Sequence, residues 1–80
     1  MGSAVREAFG RNLRSIRKSK GLSQERLAYD AGIDRSYVGK IERGEVNVTV
    51  ERLYLLADCL QCSPKELVLD FEEFSSELRS

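Results

Sequence analysis

The apolar-periodic stretches of this chain are separated by residues that start and stop helices, and little else. Ser23, Asp34, Thr49 and Ser63 each precede such a stretch, where a side-chain oxygen can accept from a free backbone N–H. Gly21, Gly32 and Gly44 each follow one. The first stretch, residues 4–19, sets Val5, Phe9, Leu13 and Ile16 on one stripe at helical spacing, with Arg11, Arg14 and Lys18 opposite. Gly10 lies outside that stripe and is expected to be a mild internal weakness. A short helix is predicted over 24–31, with Leu27, Ala28 and Ala31 inward, and a third over 35–43. A fourth, over 50–61, carries Val50, Leu53, Leu56, Ala57 and Leu60 as its apolar stripe. Ser63-Pro64-Lys65-Glu66 is a capping box with proline at the first helical position, so a fifth helix is expected to start there. Phe71, Phe74 and Leu78 continue the helical spacing, either within that helix or after a break near Leu69-Asp70. No segment alternates at a two-residue period. The expectation is one all-α domain over 1–80: a compact five-helix core over 4–69, with 70–80 as a C-terminal helical extension.

Composition narrows the chemistry. The 80 residues suit one small domain with a single core. There is no His, which removes the commonest general base and the commonest metal ligand. Cys59 and Cys62 form a C-x-x-C, but two thiolates without His cannot close a four-ligand zinc site. A redox reading needs a βαβ setting that the pattern lacks, so packing cysteines at a helix end are expected. Glu72 and Glu73 are adjacent, so on a helix they diverge by ~100°. No enzyme, metal, cofactor or small-molecule ligand is expected. No apolar run approaches the ~18–20 residues of a membrane span, and a soluble, cytoplasmic chain is expected.

Formal net charge is zero, yet the charges are segregated. Residues 1–44 hold ten Lys/Arg and five Asp/Glu, and residues 45–80 hold three and eight. Such asymmetry suggests a basic working surface and an acidic remainder. The basic half contains the informative unit, Leu22 to Gly44: two short helices separated by Gly32-Ile33-Asp34. That spacing is a helix-turn-helix, whose second helix can enter a DNA major groove. On its wheel Val38 and Ile41 face inward, while Arg35, Ser36, Gly39, Lys40 and Arg43 share the other side with Tyr37 at a flank. Arg can fork onto guanine, Ser can donate or accept, and Lys can reach a base or a phosphate. Gly39 lets the helix approach closely, which would offset the ~1 kcal/mol a mid-helix glycine costs.

The runs Gly21-Leu22-Ser23-Gln24-Glu25-Arg26-Leu27-Ala28, Ala31-Gly32-Ile33-Asp34-Arg35-Ser36-Tyr37-Val38 and Ile41-Glu42-Arg43-Gly44 resemble the phage-repressor (Xre-like) class of helix-turn-helix regulators. Within it, the sequence is most similar to the controller proteins of restriction–modification systems. The resemblance covers about residues 5–69 and implies a lambda-repressor-like fold. It implies that Arg35, Ser36, Tyr37 and Lys40 meet bases, that Gln24, Arg43 and Asn47 hold the DNA backbone, and that Gln24 also braces the recognition helix. It implies that Arg17 and Glu42 form a structural ion pair between the first helix and the end of the third. Double-stranded DNA is the implied partner, and the expected function is a transcriptional regulator that controls its own gene.

Family members pair two recognition helices, so a homodimer on a palindromic site is expected. On the fourth helix Leu55 and Cys59 lie nearly opposite Leu53 and Leu60, which suggests that the core does not use them. With Val68, Phe71 and Phe74 they are the candidate dimer interface; alternatively, the tail folds back over Leu55 and Cys59 within one chain. A protein-interaction module or antitoxin-type partner on the same fold is the competing reading.

Overall fold

The computed structural model describes residues 2–68, with side chains from Ala4 onward. Its elements are α1 (Gly2–Ser19), α2 (Gln24–Ala31), α3 (Arg35–Glu42), α4 (Val50–Leu60) and a 3-10 turn at Pro64–Glu66. There is no strand among the described residues. Three helix starts are capped as the sequence pattern requires. Ser23 Oγ accepts from the Arg26 N–H, Asp34 Oδ1 from the Ser36 N–H and Thr49 Oγ1 from the Arg52 N–H, at 3.0, 3.2 and 3.1 Å. Each cap satisfies a donor the first turn cannot use, and such caps contribute about 1 kcal/mol.

α3 packs against both α1 and α2, and α4 packs against α2. Their inward stripes place Leu13, Leu27, Val38, Ile41, Leu56, Leu60 and Leu67 in full burial. Each such side chain contributes roughly 1.5–3 kcal/mol by leaving water. Two stripe assignments need correction. Val50 is 71% exposed, because it opens α4 on the rim of an apolar groove lined also by Val5, Phe9, Val48 and Leu53. Cys59 is half-buried against the core, since α2 covers that flank of α4 and brings Asp30 towards the thiol. Leu55 is partly exposed, at 38%. Cys62 also packs on the core, and burial pushes both thiols up, with nearby carboxylates adding to it.

Where a fifth helix is expected, the described residues form a 3-10 turn at Pro64–Glu66. Ser63 donates its N–H to Glu66 Oε2 at 2.8 Å, which is half of the capping box. The next backbone bonds then close at i to i+3: Glu66 N–H to Ser63 O and Leu67 N–H to Pro64 O. Asn12 of α1 donates Nδ2–H to the carbonyls of Leu67 and Val68, at 3.1 and 3.4 Å. The tighter turn swings Leu67 into the core, where it is fully buried, and leaves Val68 on the surface. The expectations placed on Phe71, Phe74 and Leu78, and on the extension as a whole, lie outside the described residues.

Gly10 is no weakness. It is buried where α1 crosses the end of α3, and a Cβ there would stand 2.6 Å from the Glu42 carbonyl oxygen and closer still to that of Ile41. Gly44 answers it from the other side. Its φ of +74° suits glycine, and a Cβ would meet the Glu7 backbone at 2.8–3.0 Å. Main chain thus meets main chain at both glycines, and at Gly10 no side chain stands between to give way. Helix propensity alone gives Gly10→Ala a gain of about 1 kcal/mol. The opposite is expected: a loss of roughly 1–3 kcal/mol or more as α1 is levered off α3. Urea denaturation checks the sign, and a stabilised Gly10→Ala chain would contradict the contact.

Candidate nucleic-acid interface

The second helix of the pair is held from behind by one carboxylate. Glu42, the last residue of α3, accepts from Arg17 Nε at 2.6 Å and from Arg17 Nη2 at 3.1 Å. Gln24, the first residue of α2, donates Nε2–H to Glu42 Oε1 at 2.9 Å. Arg17 donates a third bond, from Nη1 to the Leu22 carbonyl at 2.8 Å. The Arg17 and Glu42 side chains are only 9% and 4% exposed. Among the described residues no buried side-chain nitrogen or oxygen lacks a partner. Burial is the largest influence on the Glu42 carboxyl and pushes its pKa up. The hydrogen bonds from Arg17 and Gln24, with the Arg17 charge, outweigh burial and leave it below the ordinary value.

The outer side of α3 is free of the core. Arg35, Ser36 and Lys40 are exposed there, while Val38 and Ile41 are buried behind them. Tyr37 is half-buried, its Oη donating to the Asn47 carbonyl at 3.4 Å. The Arg52 guanidinium lies over its ring, 4.8 Å from the centroid. Ser36, Tyr37, Lys40 and Arg52 line one concavity of about 440 Å³ together with the turn residues Gly32, Ile33 and Asp34. Arg35 stands apart from that concavity, with Nε 3.5 Å from Glu25 Oε2. Arg43 forks onto Glu45, Nε to Oε2 at 2.8 Å and Nη2 to Oε1 at 3.4 Å. These hydrogen bonds push the Arg43 pKa up and the Glu45 pKa down. Gly39, expected to be an open gap, is buried, because the Arg43 side chain lies across it.

One feature of the site had no sequence signal. Arg52 belongs to α4, and nothing local to Thr49-Val50-Glu51-Arg52 shows that it reaches Tyr37. Gln24, implied by the family likeness to brace the third helix, bonds Glu42 at its end.

Comparison with known proteins agrees with this geometry. Residues 13–67 match the helix-turn-helix family model, and the chain belongs to that family. Control protein C.SmaI of Serratia marcescens is 42% identical over 64 residues, which cover 80% of this chain and 76% of that protein. Control protein C.BamHI of Bacillus amyloliquefaciens is 40% identical over 72 residues, covering 89% and 88%. The crystal structure of the restriction-modification controller protein C.AhdI from Aeromonas hydrophila superposes with a TM-score of 0.75 at 50% identity, covering 78% of this chain and 94% of that one.

The Glu42 network sets a pH dependence. A carboxyl whose folded pKa lies below its unfolded one stabilises the fold above the unfolded value, and that stabilisation is lost as pH falls through the folded value. Glu42→Gln strands the Arg17 charge, so it is expected to cost about 3–5 kcal/mol at neutral pH. The gap to wild type should close in strongly acidic buffer, where wild type has lost the same charge. Urea melts across that range check this; a gap independent of pH would show that the carboxylate charge is not the source.

Proposed function

We propose that this chain is a sequence-specific transcriptional regulator that inserts α3 into the major groove of double-stranded DNA. The observation that carries the reading is the two-sided character of α3. Its inner side is locked by Val38, Ile41 and Glu42, and its outer side offers Arg35, Ser36 and Lys40 to a partner. Arg35 forks onto a guanine, Ser36 and Lys40 take base-edge or phosphate acceptors, and Tyr37 touches a base methyl or a phosphate at the flank. Gln24 and Asn47 hold the DNA backbone beside the groove. Kinship with controller proteins supports the regulatory role, and control of its own gene is the simplest circuit for a small regulator of this type.

One recognition helix reads few base pairs, so the protein acts as a homodimer on a palindromic operator, with half-sites ~34 Å or a multiple apart. Leu55 and Val68, exposed at 38% and 41%, supply the described part of the dimer surface, with Phe71 and Phe74 joining them and Cys59 at its edge.

Selection from a pool of randomised duplexes tests the reading. Wild type is expected to enrich a palindrome and to lose affinity steeply as salt rises, because bound phosphates release counterions. Weak binding at every salt concentration would favour a protein-interaction role. Arg35→Ala is expected to lose ~1–3 kcal/mol on the enriched site and to relax one base pair, whereas Gln24→Ala weakens all sequences alike. Sedimentation equilibrium is expected to give a dimer for wild type and a monomer for Leu55→Asp. A Leu55→Asp chain that remains dimeric would reject this interface.

A further inference from the structure

Arg43 is the C-cap of α3, beyond the last helical residue, a place from which phosphates flanking the groove are easily reached. Its side chain goes elsewhere. It runs back along the helix, as helical side chains lean, and brings the guanidinium over Gly39, one turn earlier. A Cβ at position 39 would stand 3.1 Å from Arg43 Nη1. Gly39 belongs to the same face as Arg35, Ser36 and Lys40, so the guanidinium occupies the middle of that face.

Glu45 fixes its orientation. The carboxylate takes the Nε and Nη2 edge of the fork, at 2.8 and 3.4 Å. Nη1 makes no hydrogen bond among the described residues, which leaves the Nη1–Nη2 edge open as a pair of parallel donors. A phosphate contact needs charge above all, and the Glu45 carboxylate cancels charge. A base contact needs a planar fork held at a set angle, which that carboxylate provides.

We propose that Arg43 reads a base: its open guanidinium edge takes O6 and N7 of a guanine, Gly39 leaves it room on the recognition face, and Glu45 holds its angle. This rests on the DNA-binding reading above. Lys40 and Arg35 flank the same face and cover other positions, so Arg43 adds a determinant one turn inward from its own place in the chain.

The test is the same selection from randomised duplexes, run with the full chain as wild type, R43K, G39A and E45Q. Circular dichroism checks that each variant folds, and G39A improves helix propensity. Wild type is expected to enrich a G·C pair in each half-site that R43K no longer distinguishes, with preference at that pair falling about tenfold. G39A, which forces Nη1 outward, and E45Q, which weakens the hold on the fork, are expected to blur the same pair. A motif that R43K shares with wild type overturns the proposal. So does an R43K loss of equal size on every sequence, which marks a phosphate contact. A wild type that enriches no motif overturns the DNA-binding reading, and this proposal with it.

Discussion

One carboxylate joins the three helices that make the site. Glu42 closes α3, accepts both arms of Arg17 from α1 and takes the Gln24 amide from the start of α2. Arg17 also holds the Leu22 carbonyl in the loop between α1 and α2. The angle between α2 and α3 is therefore set by directional bonds at one end and by apolar packing of Leu27, Ala28 and Val38 along the helices. A buried pair of this kind adds little net stability over a well-packed apolar substitute, and its geometry is what it contributes. Losing one partner is severe because the other charge has nowhere to go.

The outer side of α3 follows the opposite rule. Arg35 and Arg43 also have acidic partners, but those pairs are exposed and screened by solvent, so they add little stability. They orient side chains without holding them against a stronger ligand. The contrast assigns rigidity to the inner side and exchangeability to the outer side, within a helix of 8 residues. Tyr37 lies between the two regimes, with Arg52 on its ring and the Asn47 carbonyl on its hydroxyl.

Much of this was legible in the sequence because the relevant signals are local. Ser23, Asp34 and Thr49 announce helix starts through their own side chains, and the starts of α2, α3 and α4 fall where they indicate. The face of α3 follows from its 3.6-residue period. Apart from Gly39, which Arg43 covers from one turn on, the failures involve contacts between distant segments. Gly10 looks like a flaw until the carbonyls of Ile41 and Glu42 are placed beside it. Val50 fits the stripe of α4, yet among the described residues nothing covers the opening turn. The turn at Pro64 tightens because Asn12 of α1 takes the carbonyls that follow it, and no rule based on neighbours contains that information. The buried Arg17–Glu42 pair entered only through family likeness, since its partners are far apart in the chain.

The glycine crossing of α1 and α3 has a consequence for how such a sequence can drift. Where two helices meet through side chains, each substitution that changes a volume re-aims one helix against the other. Here Gly10 and Gly44 set the spacing by main-chain atoms, which every residue type shares. The apolar side chains around the crossing can then change in size, with local repacking, while α3 keeps its bearing on the rest of the molecule. The outer face of α3 can change under the same freedom, because Arg35, Ser36 and Lys40 take no part in the Glu42 network. The crossing acts as a datum, a fixed reference from which the variable parts of the molecule are measured.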